Sequence, residues 1–285
     1  MYQILRKQQL NPTVTLMEIK APLVARKAEA GQFIILRVDE QGERIPLTIA
    51  GYHREEGWVR IIFQIVGATT AALNEKNEGD SICDFVGPLG CPTKLDGLRR
   101  VCIVGGGVGC AIALPVAEAL RARGASVTSI IGFRSKDLVI LEDAFAAVSD
   151  TLHVMTDDGS WGRQGNVCVP LSEMLARGEV FDEIITIGPL VMMKFVVETA
   201  RPTKIPCTVS MNPIMIDGTG MCGGCRLTLR GEDGAPQTKF ACVDGPDFDG
   251  YAVDFDEAMM RGGMYRAFER HAYETTCSLF QKEVH

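Results

Sequence analysis

The chain has 285 residues, 46% of them hydrophobic and 23% charged, with a formal net charge of -7. That length accommodates two domains and a small appendage, and the composition is that of a globular enzyme. The acidic balance argues against nucleic acid as main partner, no run of about 18 apolar residues is present to span a membrane, and Met1–Lys7 opens no secretory leader, so a cytoplasmic location is expected.

Residues 1–98 read as all-β. Short β-branched or alternating runs recur at residues 13–19, 33–38 and 58–66, punctuated by Gly31, Gly42, Gly57, Gly79-Asp80 and Gly87-Pro88. Regularly spaced short strands predict a barrel or sandwich. One short helix is expected at residues 69–77. The pattern changes at Arg99-Arg100. Val101–Val104 is a short apolar strand, followed by a Gly cluster and a helix over residues 111–123. Strands at 127–131, 152–155 and 183–187, with a helix at 141–147, continue an alternation that predicts a parallel sheet covered on both faces. A doubly wound α/β domain is therefore expected over residues 99–204.

From residue 205 onward the chain is rich in loops and glycine, with too little apolar periodicity for a large core of its own. A bound metal centre would supply the missing cross-link. Residues 255–280 read as helical. No internal repeat or low-complexity segment is present.

Ten cysteines are unevenly distributed. Cys83, Cys91, Cys102, Cys110, Cys168, Cys207 and Cys277 are scattered and read as small buried hydrophobes. Cys222, Cys225 and Cys242 are different, because they follow Asp217 in Asp217-Gly218-Thr219-Gly220-Met221-Cys222-Gly223-Gly224-Cys225 and Ala241-Cys242. With the aspartate in the first ligand position, this is the spacing of a plant-type 2Fe-2S loop. Glycines let the backbone fold tightly around sulfides, and their N–H groups can face the sulfurs. A carboxylate there is a harder ligand than thiolate and would shift the potential; in the alternative reading Asp217 only hydrogen-bonds near the site and the fourth ligand lies elsewhere. A zinc ion on the same four residues is the competing reading, since zinc also accepts carboxylate. Zinc ribbons, however, usually repeat the C-x2-C knuckle, which occurs once here. The four histidines show no metal spacing.

Gly105-Gly106-Gly107-Val108-Gly109 follows the strand at 101–104 and opens a helix. Such a turn lets phosphate approach the helix N-terminus. Cys110 replaces the last glycine of the dinucleotide fingerprint, so plain turn chemistry competes with cofactor binding. Asp157-Asp158-Gly159 would repel the 2′-phosphate of NADP and bond ribose hydroxyls, or form a solvated turn. Arg134 and Lys136 pull the other way.

A barrel followed by a parallel-sheet domain resembles the ferredoxin–NADP reductase superfamily. Arg44-Ile45-Pro46-Leu47-Thr48 looks like its flavin loop, in which Arg44 would meet the flavin pyrophosphate and Thr48 the isoalloxazine. Residues 65–70, with Gly67, Thr69 and Thr70, resemble the second flavin phosphate loop. Gly188-Pro189 and Met192 resemble the motif near the nicotinamide, with Ile187 in place of its cysteine.

The cluster loop narrows the resemblance to two subfamilies: the electron-transfer subunits of dihydroorotate dehydrogenases, normally with four cysteines, and the small subunits of NADH-dependent reduced ferredoxin:NADP oxidoreductases. The latter share the aspartate and the element matching Ala241-Cys242-Val243-Asp244-Gly245-Pro246. Related sulfide dehydrogenase subunits are similar. The resemblance implies an oxidoreductase with FAD, NAD(H) and a 2Fe-2S cluster on Asp217, Cys222, Cys225 and Cys242. It also implies a larger flavin and iron–sulfur partner in a heterodimer, electron bifurcation on the partner's flavin, and ferredoxin reached through that partner. The expected fold is thus a flavin β-barrel (1–98), a doubly wound NAD domain (99–204) and a small iron–sulfur segment (205–285). A zinc-stabilised nucleotide-binding regulator without redox turnover is the competing class.

Overall fold

A computed structural model describes residues 1–231, 233–264 and 271. Its first half consists of β1 (Tyr2–Asn11), β2 (Val14–Lys20), a short helix α1 (Pro22–Ala25), β3 (Phe33–Arg37), β4 (Arg44–His53), β5 (Trp58–Gln64), α2 (Ala68–Glu75), β6 (Ser81–Ile82) and β7 (Asp84–Leu89). The seven strands form one antiparallel sheet in the order β6-β1-β2-β5-β4-β3-β7, curled around a core that includes Met17, Ile19, Ile34, Leu36, Phe63 and Phe85. The two-residue period of a strand explains why β2 is buried on both faces. Met17 and Ile19 enter the barrel, while Val14 and Leu16 pack toward the α/β domain.

The second sheet is built from β8 (Arg100–Gly106), α3 (Cys110–Ala122), β9 (Ser126–Phe133), α4 (Glu142–Val148), β10 (Thr151–Thr156), β11 (Arg163–Gln164), α5 (Cys168–Ala176), β12 (Glu183–Ile187), α6 (Leu190–Ala200) and β13 (Cys207–Ser210). A hairpin β14 (Arg226–Arg230) and β15 (Pro236–Phe240), then α7 (Ala241–Asp244), β16 (Asp247–Asp249) and α8 (Phe255–Gly263), complete the described chain. The order is β11-β10-β9-β8-β12-β13-β16, parallel except for the last pair. Central β8 is covered on both faces: Val101 and Ile103 pack with α3, Cys102 and Val104 with α5 and α6. The expected barrel plus doubly wound sheet is borne out.

Several expectations are corrected. Residues 44–48 lie on strand β4 rather than in a loop. The run was unreadable as a strand because of Pro46, which pairs with β3 on one side while β5 joins only from Ile49. A residue without an N–H is tolerated where one edge is free. The segment after 205, sparse in apolar residues as read from the sequence, builds no core alone: Cys225, Leu227, Ala241, Cys242, Phe248 and Phe255 join the core shared with α5 and α6, and β13 and β16 extend the second sheet. Their apolar residues are few, but they pack on a surface the α/β domain already provides. Of the scattered cysteines, Cys102, Cys110 and Cys207 are buried as expected. Cys83 and Cys168 are half-buried, and Cys91 is exposed, its thiol donating to Val243 O at 3.3 Å. The helix expected over 255–280 is seen as α8 (Phe255–Gly263); residues 265–270 and 272–280, Cys277 among them, lie outside the described residues.

Asp247 ties the C-terminal segment to the barrel. Its Oδ2 accepts from Thr93 Oγ1 at 2.6 Å, whereas Oδ1 is buried and, among the described residues, has no hydrogen-bond partner. Burial raises its pKa above the ordinary 3.8, and Glu183, whose pKa is also raised, lies near enough to repel a charge there. Below 3.8 both folded and unfolded chains carry the protonated acid. As pH rises above that value the unfolded chain ionises first, so the stability Asp247 contributes declines toward its raised native pKa. Urea unfolding of Asp247→Asn is expected to show a shallower loss of stability from acid to neutral pH than the wild type.

Candidate functional site

A cleft of roughly 790 Å³ runs between the two sheets. The barrel contributes Phe33, Pro46, Thr48 and Gln64, and the turn after β8 contributes Gly106, Gly107, Val108 and Gly109. Arg134 after β9, Asp157 after β10, and Gly188, Pro189 and Met192 after β12 continue the wall. Strand ends of an open parallel sheet converge in this way because each strand hands its chain to a helix at the same edge.

Strand pleat decides which motif residues face the cleft. On β4, Pro46 and Thr48 line it, and Arg44 lies on the same face one pleat further along; Leu47 points the other way and packs on the barrel core. Arg44 Nη2 lies 4.0 Å from Asp84 Oδ2, which also accepts from Arg37 Nε at 2.7 Å. That bond to Arg37 holds the Asp84 carboxyl below its usual range. The cross-strand pairs Phe33–Thr48 and Ile35–Pro46 place these four side chains on one sheet face. Gly67 precedes α2, and the Thr70 hydroxyl accepts from Val66 N at 3.0 Å and Gly67 N at 3.1 Å. Thr70 therefore closes its own turn, while Thr69 is half-buried.

The turns after β8 and β12 touch each other. A Cβ on Gly109 would stand 2.5 Å from Ile187 O and 2.7 Å from Gly188 Cα, so only glycine permits this approach. Gly105 lies one residue deeper, buried at the end of β8. Of the acidic turn, Asp157 reaches the cleft wall. Asp158 instead accepts from Ser160 N at 2.9 Å and Ser160 Oγ at 2.6 Å, which holds its carboxyl low, and Gly159 completes the turn at φ +73°.

Sequence reasoning missed part of the rim. Ser210, Met211 and Asn212 at the end of β13, and Val191 and Phe195 on α6, also line the cleft. The i, i+4 spacing of Val191 and Phe195 was a usable signal for one helix face. Nothing local marks Asn212, whose place depends on β13 joining the sheet.

Next to the cleft lies the cluster loop. A Cβ on Gly218 would stand 2.7 Å from Ile35 Cδ1 and 2.8 Å from Leu89 Cδ1, so the loop is seated directly on the barrel. Cys225 and Cys242 are buried with sulfurs 3.2 Å apart. Burial and the neighbouring thiol of Cys225 push Cys242 up to about 11. Cys222 is exposed, and backbone N–H groups, first that of Gly224 at 3.5 Å, hold its thiol below the ordinary value. Asp217 Oδ2 accepts from Thr219 N at 3.0 Å, from the Thr219 hydroxyl and from Met221 N at 3.2 Å, which lowers its pKa. Among the described residues no three His, Cys, Asp or Glu side chains form a ready donor set for a single ion. Cys225 stands beside Cys242, and Asp217 is near enough to Cys222 to act on its charge. Soft thiols with backbone N–H groups aimed at them suit a cluster of two irons, which takes two protein ligands on each.

A flavin-type barrel, a nucleotide sheet and a cysteine loop between them define a reductase body with an iron–sulfur segment. Residues 212–254 match the family model of the iron–sulfur cluster binding domain of dihydroorotate dehydrogenase B. A Thermotoga maritima homologue of the electron-transfer subunit of NAD-dependent dihydroorotate dehydrogenase B is 46% identical over 95% of this chain and 94% of its own. An uncharacterised Clostridium beijerinckii protein is 46% identical over 95% and 93%. A solved chain of an NADH-dependent reduced ferredoxin-NADP oxidoreductase, studied for flavin-based electron bifurcation, superimposes with TM-score 0.89 at 43% identity, covering 96% of this chain and 97% of that one. Phthalate dioxygenase reductase, at 18% identity and TM-score 0.56, shares the fold alone.

The chain belongs to the family of dihydroorotate dehydrogenase B electron-transfer subunits and their homologues. It is an NAD-dependent flavin and iron–sulfur oxidoreductase subunit, and the resemblance read from its motifs is borne out. Among the described residues no helix is long and apolar enough to cross a membrane.

Proposed function

We propose that this subunit exchanges hydride with NAD(H) at a bound FAD and sends single electrons through a 2Fe-2S cluster to a larger flavin and iron–sulfur subunit. The enzyme is of the bifurcating ferredoxin:NADP oxidoreductase type. One observation carries this reading: Pro46 and Thr48 share a sheet face with Phe33 and Ile35, and the cluster loop packs on that same Ile35. A flavin on this face and a cluster in the loop would be immediate neighbours.

Flavin converts two-electron hydride chemistry into one-electron steps, and a cluster carries the latter onward. The protein's own residues bind and orient. Thr48 and Pro46 would bound the isoalloxazine, with Arg44 toward the pyrophosphate. Gly105 to Gly109 would receive the dinucleotide phosphates, and Gly188, Pro189 and Met192 would border the nicotinamide. Asp217 and Cys222 would hold one iron, Cys225 and Cys242 the other. Expulsion of water from the cleft follows from its apolar lining by Phe33, Val108, Ile187 and Met192.

Asp157 on the wall favours NADH. A carboxylate about 4 Å from a phosphate costs about 1 kcal/mol per charge pair even in water, and more in a partly dry cleft. A preference for NADH over NADPH of roughly tenfold is expected, and Asp157→Asn should narrow it. Equal turnover with both nucleotides in the wild type would contradict this reading of Asp157.

Copurification from native cells followed by mass spectrometry tests the partner. A large flavin and iron–sulfur subunit supports the proposal; a dihydroorotate-oxidising subunit makes this chain the electron-transfer subunit of a dihydroorotate dehydrogenase instead.

A further inference from the structure

Asp217 begins a tight loop in which its carboxylate is bound back onto the chain. Oδ2 takes the Thr219 N–H at 3.0 Å, the Thr219 hydroxyl, and the Met221 N–H at 3.2 Å. Three donors on one oxygen leave Oδ1 as the atom open to a further partner. Gly218 and Gly220 flank Thr219 with φ of +79° and +84°, the left-handed conformation that turns residue 219 back on residue 217. The sulfur ligands meet backbone donors, as Cys222 does with Gly224 N. Among the described residues, Thr219 supplies the one hydroxyl bonded to any of the four candidate ligands.

We propose that Thr219 is a positioning residue for the cluster: it holds Asp217 Oδ2, leaving Oδ1 as the oxygen that would face iron, and its hydroxyl would raise the reduction potential. The inference rests on the reading of Asp217 as a ligand. A reduced cluster carries one more negative charge than the oxidised one, so a donor that draws charge from a ligand stabilises the reduced form. Removing that donor leaves more charge on the carboxylate and favours the oxidised form. Valine has the outline of threonine without the hydroxyl, so it isolates the hydrogen bond from the packing.

The test is an EPR-monitored redox titration of the full cluster-loaded chain. Thr219→Val should keep its iron and sulfide but shift the midpoint to a more negative potential, and Thr219→Ser should return it to the wild-type value. In an Asp217→Cys background the Thr219→Val shift should vanish, because the carboxylate that the hydroxyl binds is gone. A wild-type potential in Thr219→Val overturns the proposal, and so does the same shift in Thr219→Ser, where the hydroxyl is kept. If Thr219→Val takes up no cluster, Thr219→Ala is titrated by the same criteria. Asp217→Ala separates the two claims. Unchanged cluster content and EPR signal there would remove the ligand reading itself, whereas an altered cluster there with no shift in Thr219→Val would remove the role of Thr219 alone.

Discussion

Replacing Cys225 by serine is expected to empty the iron–sulfur site while flavin stays bound. Cys225 is 1% exposed and its sulfur lies 3.2 Å from that of Cys242, a closeness that the proposed sharing of one iron requires. A serine hydroxyl is a harder donor, is not ionised at neutral pH and has a shorter bond to its Cβ. Left without iron, it is also a buried polar group, which costs about 1–3 kcal/mol. Iron, acid-labile sulfide and the visible absorbance of the cluster should fall to background in Cys225→Ser. NADH should still bleach the flavin, but transfer to a one-electron acceptor should be lost. Cys91→Ser provides the control, because Cys91 is exposed and bonds a backbone carbonyl beside the loop. It should retain the full cluster. Loss of iron in both variants would mean that the segment, rather than a ligand, had been disturbed.

Gly109→Ala is expected to weaken nucleotide binding without releasing flavin. The added methyl would stand 2.5 Å from Ile187 O and 2.7 Å from Gly188 Cα, both backbone atoms that cannot swing aside. The turns after β8 and β12 must therefore separate, and these two turns together carry the phosphate and nicotinamide contacts proposed above. Forced overpacking of this kind costs about 1–3 kcal/mol. If most of that falls on the bound state, the Kd for NADH rises roughly tenfold to a hundredfold. Fluorescence titration with NADH measures it. Gly178→Ala is a useful comparison: φ there is +82° and nothing lies within 4 Å, so it strains the backbone far from the cleft and should leave the NADH affinity alone.

The features legible in the sequence are those encoded locally. Val101–Val104 announced a central strand because both its faces are buried, and the cluster spacing announced itself because Asp217, Cys222 and Cys225 fall within nine residues. What stayed hidden depends on pairing over long distance. Pro46 concealed β4, since its tolerance rests on an edge that β5 leaves free. β13 and β16 are short: β13 holds its place only by joining the sheet edge left by β12, and β16 only by joining β13 in turn. The cleft rim at Asn212 and Phe195 follows from that same assembly. Thr219 was visible as a residue of the loop, but its hydroxyl bond to Asp217 belongs to the folded turn. The acidic pair divides in the same way, with Asp157 on the wall and Asp158 spent on its own turn.

Anaerobic addition of NADH to the purified protein, followed by visible and EPR spectroscopy, tests whether electrons pass from nicotinamide through flavin to a 2Fe-2S cluster. Flavin and iron–sulfur absorbance are expected in the protein as isolated, with bleaching of the flavin by NADH and the EPR signal of a reduced 2Fe-2S cluster once electrons reach it. A colourless protein that contains zinc and does not respond to NADH would contradict it.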